Sequence, residues 1–136
     1  MRKVSMLIGI CMLAALGLTL IAMQAEDLPP VMKDVGATQQ ALRKAIDAKS
    51  AADVEQEATK MQGLFTKAAG VFKALKAQDA VDGSNNNATA AADIVRAAKA
   101  NDMETADAKA KAIQKSCKGC HDIHRETLPD KTYKFK

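Results

Sequence analysis

Cys117-Lys118-Gly119-Cys120-His121 places two thiols three positions apart, with an imidazole directly after the second. That pattern is the attachment signature of haem c. Each cysteine sulfur can bond one haem vinyl group, which leaves His121 as the proximal ligand beneath the iron. On a helix, residues three and four apart share a face, so Cys117, Cys120 and His121 can meet one planar group from the same side. Thioredoxin-like and zinc proteins also use CxxC. No strand–helix–strand pattern surrounds this motif, as a thioredoxin-like site requires. A zinc site needs four ligands, and only His121 and His124 stand beside the two cysteines as obvious further donors. A disulfide between Cys117 and Cys120 is the remaining alternative.

The third cysteine, Cys11, falls in a segment that reads as a secretory signal peptide. Arg2 and Lys3 form a basic start, an apolar run follows from about Val4 to Met23, and Ala22-Met23-Gln24-Ala25 supplies the small-residue processing site. Cleavage after Ala25 is expected, which divides the chain into a signal peptide over 1–25 and one domain over 26–136. The apolar run also approaches the roughly 20 residues of a membrane span. An uncleaved anchor is therefore the alternative, and the one route by which this chain would engage a membrane. With residues 1–25 removed, Cys117 and Cys120 are the only cysteines, and haem accounts for both. Export implies a periplasmic location.

Charge and size narrow the class further. Removing Arg2 and Lys3 leaves 18 of the 20 Lys and Arg against 16 Asp and Glu, so the net charge falls from +4 to +2. Two haem propionates would cancel most of that. No basic cluster with interleaved aromatics occurs, so no nucleic-acid partner is expected. The domain is small, and three Phe, one Tyr and no Trp make a thin core. A buried haem would be a large share of its apolar packing.

The elements that must position the motif are helices. Alanine is abundant, prolines occur only at 29, 30 and 129, and no stretch alternates with a period of two. A first helix is expected from Pro29-Pro30, carrying Leu28, Met32, Val35, Gln39, Leu42 and Ile46 on one stripe. Ser50 or Asp53 can cap a second, whose stripe runs Val54, Ala58, Met61, Leu64 with Phe65, Ala68, Phe72 and Leu75. Asp82-Gly83-Ser84-Asn85-Asn86-Asn87 is turn chemistry and predicts a break over 79–87. A short third helix follows over about 88–100. The last helix is expected from about Asp102 to Glu126, with Met103, Ala106, Ala110, Ile113, Cys117, Cys120 and His124 on its inner stripe. Leu128-Pro129 ends it, leaving a polar tail. The expected fold is all-α, an antiparallel four-helix bundle with haem c on the last helix.

This arrangement resembles the cytochrome c′ family, the class II c-type cytochromes, over essentially the whole of 26–136. The specific match is Cys117-Lys118-Gly119-Cys120-His121 followed by Arg125, the family's CxxCHxxxR. Its position near the C-terminus separates it from class I cytochromes c. His124 departs from the pattern, since the family usually has an aromatic there. The resemblance places the distal residue on the first helix, where Met32 falls at the matching position. Family members with Met there are low-spin electron carriers; those with an apolar residue keep a five-coordinate iron that binds small gases. A helical Met is otherwise core filling, which is how Met61 and Met103 read. The resemblance implies that Arg125 tunes the proximal ligand or the propionates; alternatively it is a solvated cation at a helix end. His124 could stack near the porphyrin edge or bond a propionate.

The expected function is single-electron carriage through a covalent haem c with His121 and Met32 as axial ligands, not enzymatic catalysis. The implied partners are redox proteins of a respiratory or periplasmic electron-transfer chain. A second copy of the chain is also a candidate, since class II members form dimers through their first and second helices. The alternative is a five-coordinate protein that binds nitric oxide or carbon monoxide.

Overall fold

Pro29 and Pro30 sit in the first turn of a helix, where their missing N–H groups would have had no intrahelical acceptor. From there the chain builds four helices: α1 (Leu28–Asp47), α2 (Ala51–Ala74), α3 (Gln78–Lys99) and α4 (Met103–His124). Two short strands follow, β1 (Arg125–Thr127) and β2 (Tyr133–Phe135). The computed structural model describes residues 27–136. The segment expected to be a signal peptide, with Cys11, lies outside the described residues.

Each interhelical turn closes in the same way. Lys49, Lys76 and Asn101 adopt positive φ of 55°, 58° and 57°. The next residue then donates back across the turn: Ser50 N–H to Ala45 at 3.1 Å, Ala77 to Phe72 at 3.0 Å and Asp102 to Ala97 at 2.8 Å. These are Schellman closures, which satisfy the last carbonyls of a helix and reverse the chain tightly. Tight reversals make successive helices antiparallel neighbours. At the start of α4, Asp102 accepts the Thr105 backbone N–H at 3.0 Å as an N-cap.

α2 and α3 make the most extensive contact, and α1 and α4 the least of the four neighbouring pairs. The bundle core divides into two apolar clusters. One contains Leu42, Val54, Met61, Phe65, Ile94 and Ile113, with Cys117 packed against it. The other, at the opposite end of α1, contains Leu28, Val31, Ala68, Phe72 and Val81, with Met32, Cys120 and Phe135 packed against it.

Two sequence expectations are corrected. The break over 79–87 does not form: α3 runs unbroken through Gly83 and the three asparagines, and the turn lies at Leu75-Lys76-Ala77 instead. Packing overrides local preference here. Ser84 and Asn87 face inward and are buried, and Asn87 Oδ1 accepts a 2.9 Å hydrogen bond from Ser116 Oγ on α4. A polar side chain that reads as a turn former becomes a helix-to-helix tie. The last helix also stops at His124, two residues early, and the tail is not irregular. Arg125, Glu126 and Thr127 pair antiparallel with Phe135, Lys134 and Tyr133. Asp130 Oδ1 accepts the Thr132 N–H at 2.9 Å within the connecting loop, which fixes the return of the chain.

The stripes shift slightly from those expected. On α1 the buried face is Leu28, Val31, Val35, Thr38, Leu42, Ala45 and Ile46, so Met32 and Gln39 lie at its edge, half-buried.

Candidate functional site

The weak α1–α4 contact leaves a cavity of about 800 Å³ between those helices. Its floor is apolar, formed by Leu42, Met61, Ala110 and Ile113, all buried. Its upper wall is the motif face of α4: Cys117, His121 and Arg125, spaced by four and therefore in line. Its rim is polar and mostly cationic, with Arg43 and Lys44 from α1, Lys118 and Arg125 from the α4 side, and Asp122 as the one acidic member. An apolar floor beneath a cationic rim suits a flat apolar group that carries carboxylates at its edge.

The motif straddles the two sides of α4. Cys117 and His121 face the cavity, while Cys120 and His124 turn toward the second apolar cluster and α3. The two cysteines are free and half-buried. Burial pushes the Cys117 thiol up, and the neighbouring Cys120 adds to the effect. The Cys120 thiol is also raised, first by burial and then by the Asp79 carboxylate. Both shifts favour the neutral thiol. The His121 imidazole is half-buried, and burial pushes its pKa down; the Arg125 charge acts in the same direction and Asp122 against it. The neutral, metal-binding form of His121 is favoured. Among the described residues no three His, Cys, Asp or Glu side chains converge as a metal site. An iron carried by a porphyrin needs no such cluster, because its four equatorial ligands come with it. Cys117, His121 and the cationic rim would suit a covalently attached haem on the cavity side, whereas Cys120 and Met32 lie outside the cavity on the second cluster.

Met32 lies on the other flank. The Arg43–Asp107 ion pair, which joins α1 to α4, sets their antiparallel register. Met32 is eleven residues before Arg43 and Lys118 eleven after Asp107, about 16 Å in each case at 1.5 Å per residue. Met32 thus stands level with Lys118, within about a turn of His121 along the bundle. It does not line the cavity; it packs on the cluster that also receives Cys120. Met61 does line the cavity, but at the floor beside Ile113, which is eight residues from His121 and so about 12 Å away along α4. Met103, half-buried at the start of α4, packs against the first cluster. These two methionines are packing.

Arg125 leaves the helix as the first residue of β1, and its guanidinium lies 4.2 Å above the Tyr133 ring. It therefore stands at the cavity rim under the control of the hairpin. His124 is tied to the opposite side. Its Nε2 is 2.6 Å from Asp79 Oδ2, and its ring stacks on Phe135 at 4.9 Å. The hydrogen bond to His124 holds the Asp79 carboxyl below the usual carboxylate range. The tail residues Tyr133 and Phe135, which form these contacts, carry no helical or strand pattern long enough to be found in the sequence. The one local signal is the aromatic alternation Tyr133-Lys134-Phe135 after Asp130. No family model, no curated protein and no solved structure matches the chain.

Proposed function

We propose that the chain is a periplasmic c-type cytochrome of the class II kind, which carries single electrons. The carrying observation is that Cys117 and His121 of a CxxCH motif wall a cavity with an apolar floor and a cationic rim. Cys117 and Cys120 hold the haem, each thiol adding sulfur to one vinyl carbon and hydrogen to its neighbour, with nothing lost. His121 is the proximal ligand, and its lowered basicity keeps Nε2 or Nδ1 free to bind. Met32, level with the motif across the bundle, would be the second protein donor to the iron. When bound, haem c would supply one-electron exchange between ferric and ferrous iron. Lys118 and Arg125 would offer charge to its propionates, and the apolar floor of Leu42, Met61, Ala110 and Ile113 would keep water out. Donors held by rigid helices would move little between oxidation states, as fast outer-sphere transfer requires. The partners are redox proteins able to approach the open α1–α4 seam.

A second reading is a five-coordinate protein that binds nitric oxide or carbon monoxide. It is favoured by one observation: Met32 packs on the second cluster rather than on the cavity beside His121.

Expression in a periplasm with haem maturation machinery tests both. A denatured gel band that stains for haem supports covalent attachment; a colourless band refutes it and leaves a disulfide-bonded helical bundle. A low-spin ferrous spectrum indifferent to carbon monoxide supports the carrier. A high-spin spectrum that changes at once with carbon monoxide supports the gas binder.

A further inference from the structure

The C-terminal hairpin reaches back over the flank of α4 that faces away from the cavity. Phe135 on β2 lies 5.5 Å from the Phe72 ring near the end of α2. It stacks on His124 of α4 at 4.9 Å and only 8° from parallel. His124 in turn bonds Asp79 in the first turn of α3. The end of the strand is fixed as well, since the Lys136 backbone N–H donates to the His124 carbonyl at 2.9 Å. One aromatic ring thus joins the hairpin to the ends of α2 and α4, and through His124 to the start of α3. That ring packs on the same apolar cluster as Met32 and Cys120.

We propose that Phe135, held by His124 and Phe72, is a positioning residue that closes the Met32–Cys120 flank of the haem site against water and competing ligands. This rests on the haem reading above. A thioether is a neutral, weak donor, and it keeps an iron position only where stronger donors are kept out. The cavity flank is open at its cationic rim, so exclusion on the Met32 side has to come from the second apolar cluster. There, Leu28, Val31, Phe72 and Val81 belong to helices and are held by the bundle. Phe135 belongs to a two-stranded hairpin, which is marginally stable by itself, so its seal depends on the His124 stack. Tyr133, on the same strand, is 53% exposed and carries the Arg125 guanidinium instead. It supports the hairpin without covering the flank.

The test uses haem-loaded, full-length protein and reads imidazole binding to the ferric form by visible spectroscopy, with far-UV circular dichroism as a control for folding. Phe135→Ala is expected to bind imidazole at least about tenfold faster than wild type, a barrier change of about 1.4 kcal/mol. His124→Phe keeps the stack while losing the bond to Asp79. It is expected within about twofold of wild type on the same scale. Wild-type kinetics in Phe135→Ala would overturn the proposal, and so would an equal acceleration in His124→Phe. Should Phe135→Ala not accumulate, Phe135→Leu keeps apolar bulk without the stack. A rate about threefold above wild type then supports the proposal, and an unchanged rate overturns it. Protein that takes no haem stain overturns the haem reading together with this inference; stained protein with unchanged kinetics overturns the inference alone.

Discussion

His121 can bind iron only through an unprotonated ring nitrogen, and its surroundings favour that state. Burial and the Arg125 charge both disfavour the imidazolium, against the pull of Asp122. At the same scale the candidate distal ligand is one side chain, Met32, and replacing it separates ligand from filler. Met32→Ala is expected to turn a low-spin protein high-spin in both oxidation states, read in the visible spectrum. A core filler would leave the spectrum unchanged and lower stability alone. Asp107 is the residue at which acid should be felt along the α1–α4 seam. Lys111, first, and Arg43, second, hold its carboxyl below the usual range. A depressed carboxylate contributes stability above its unfolded pKa and loses it as pH falls through the folded value. Asp107→Asn should therefore lower the urea midpoint at pH 7, and its difference from wild type should shrink as pH falls below about 4.

Helix α3 shows how an element can form against its own residues. Gly83 sits within it, and a Cβ built there meets no atom within 4 Å. Gly83→Ala should stabilise the protein by about 1 kcal/mol, the propensity difference in a helix interior, measured by urea denaturation. A turn at 79–87 would have given no such gain. Asn87 makes the opposite case. Its bond from Ser116 links α3 to α4 next to Cys117, and Asn87→Ala should cost about 0.5–1.5 kcal/mol, the net worth of one hydrogen bond, because the exposed Ser116 hydroxyl can turn to water. The turns follow a different rule. Lys49 and Lys76 take left-handed backbone that Gly adopts more readily, and the Schellman bonds hold them there.

On the scale of the whole molecule, the least packed of the four neighbouring helix seams is the one that opens into a cavity. α1 and α4 are joined by the Arg43–Asp107 pair and by apolar residues of the first cluster, and they flank the cavity of about 800 Å³. That volume lies within the usual range for cofactor sites, about 300–1,000 Å³. A bundle with such an opening gains stability from whatever fills it, because a ligand bound only by the folded state shifts the equilibrium by mass action. The Cys117→Ser, Cys120→Ser double variant, which cannot be loaded covalently, should thus unfold at a clearly lower urea concentration than loaded wild type. Equal midpoints would mean that haem is no part of the fold's stability.

The sequence by itself determined the helical class and supplied the motif on which the proposed chemistry rests. Apolar residues at threes and fours set the faces of α1, α2 and α4, and Cys117, Cys120 and His121 are legible because their spacing is local and covalent chemistry demands it. Three things were decided only by tertiary structure. Asn87 is a turn former by propensity, but burial and a partner 29 positions away made it a helical tie. The hairpin is too short to show a period, and it forms because Phe135 finds Phe72 and His124 from distant parts of the chain. The division of the motif between an open cavity and a packed apolar cluster depends on which helices pack closely. Contacts far apart in sequence leave no local pattern, so the residue types of the motif are local and the two unlike sides it meets were set by packing.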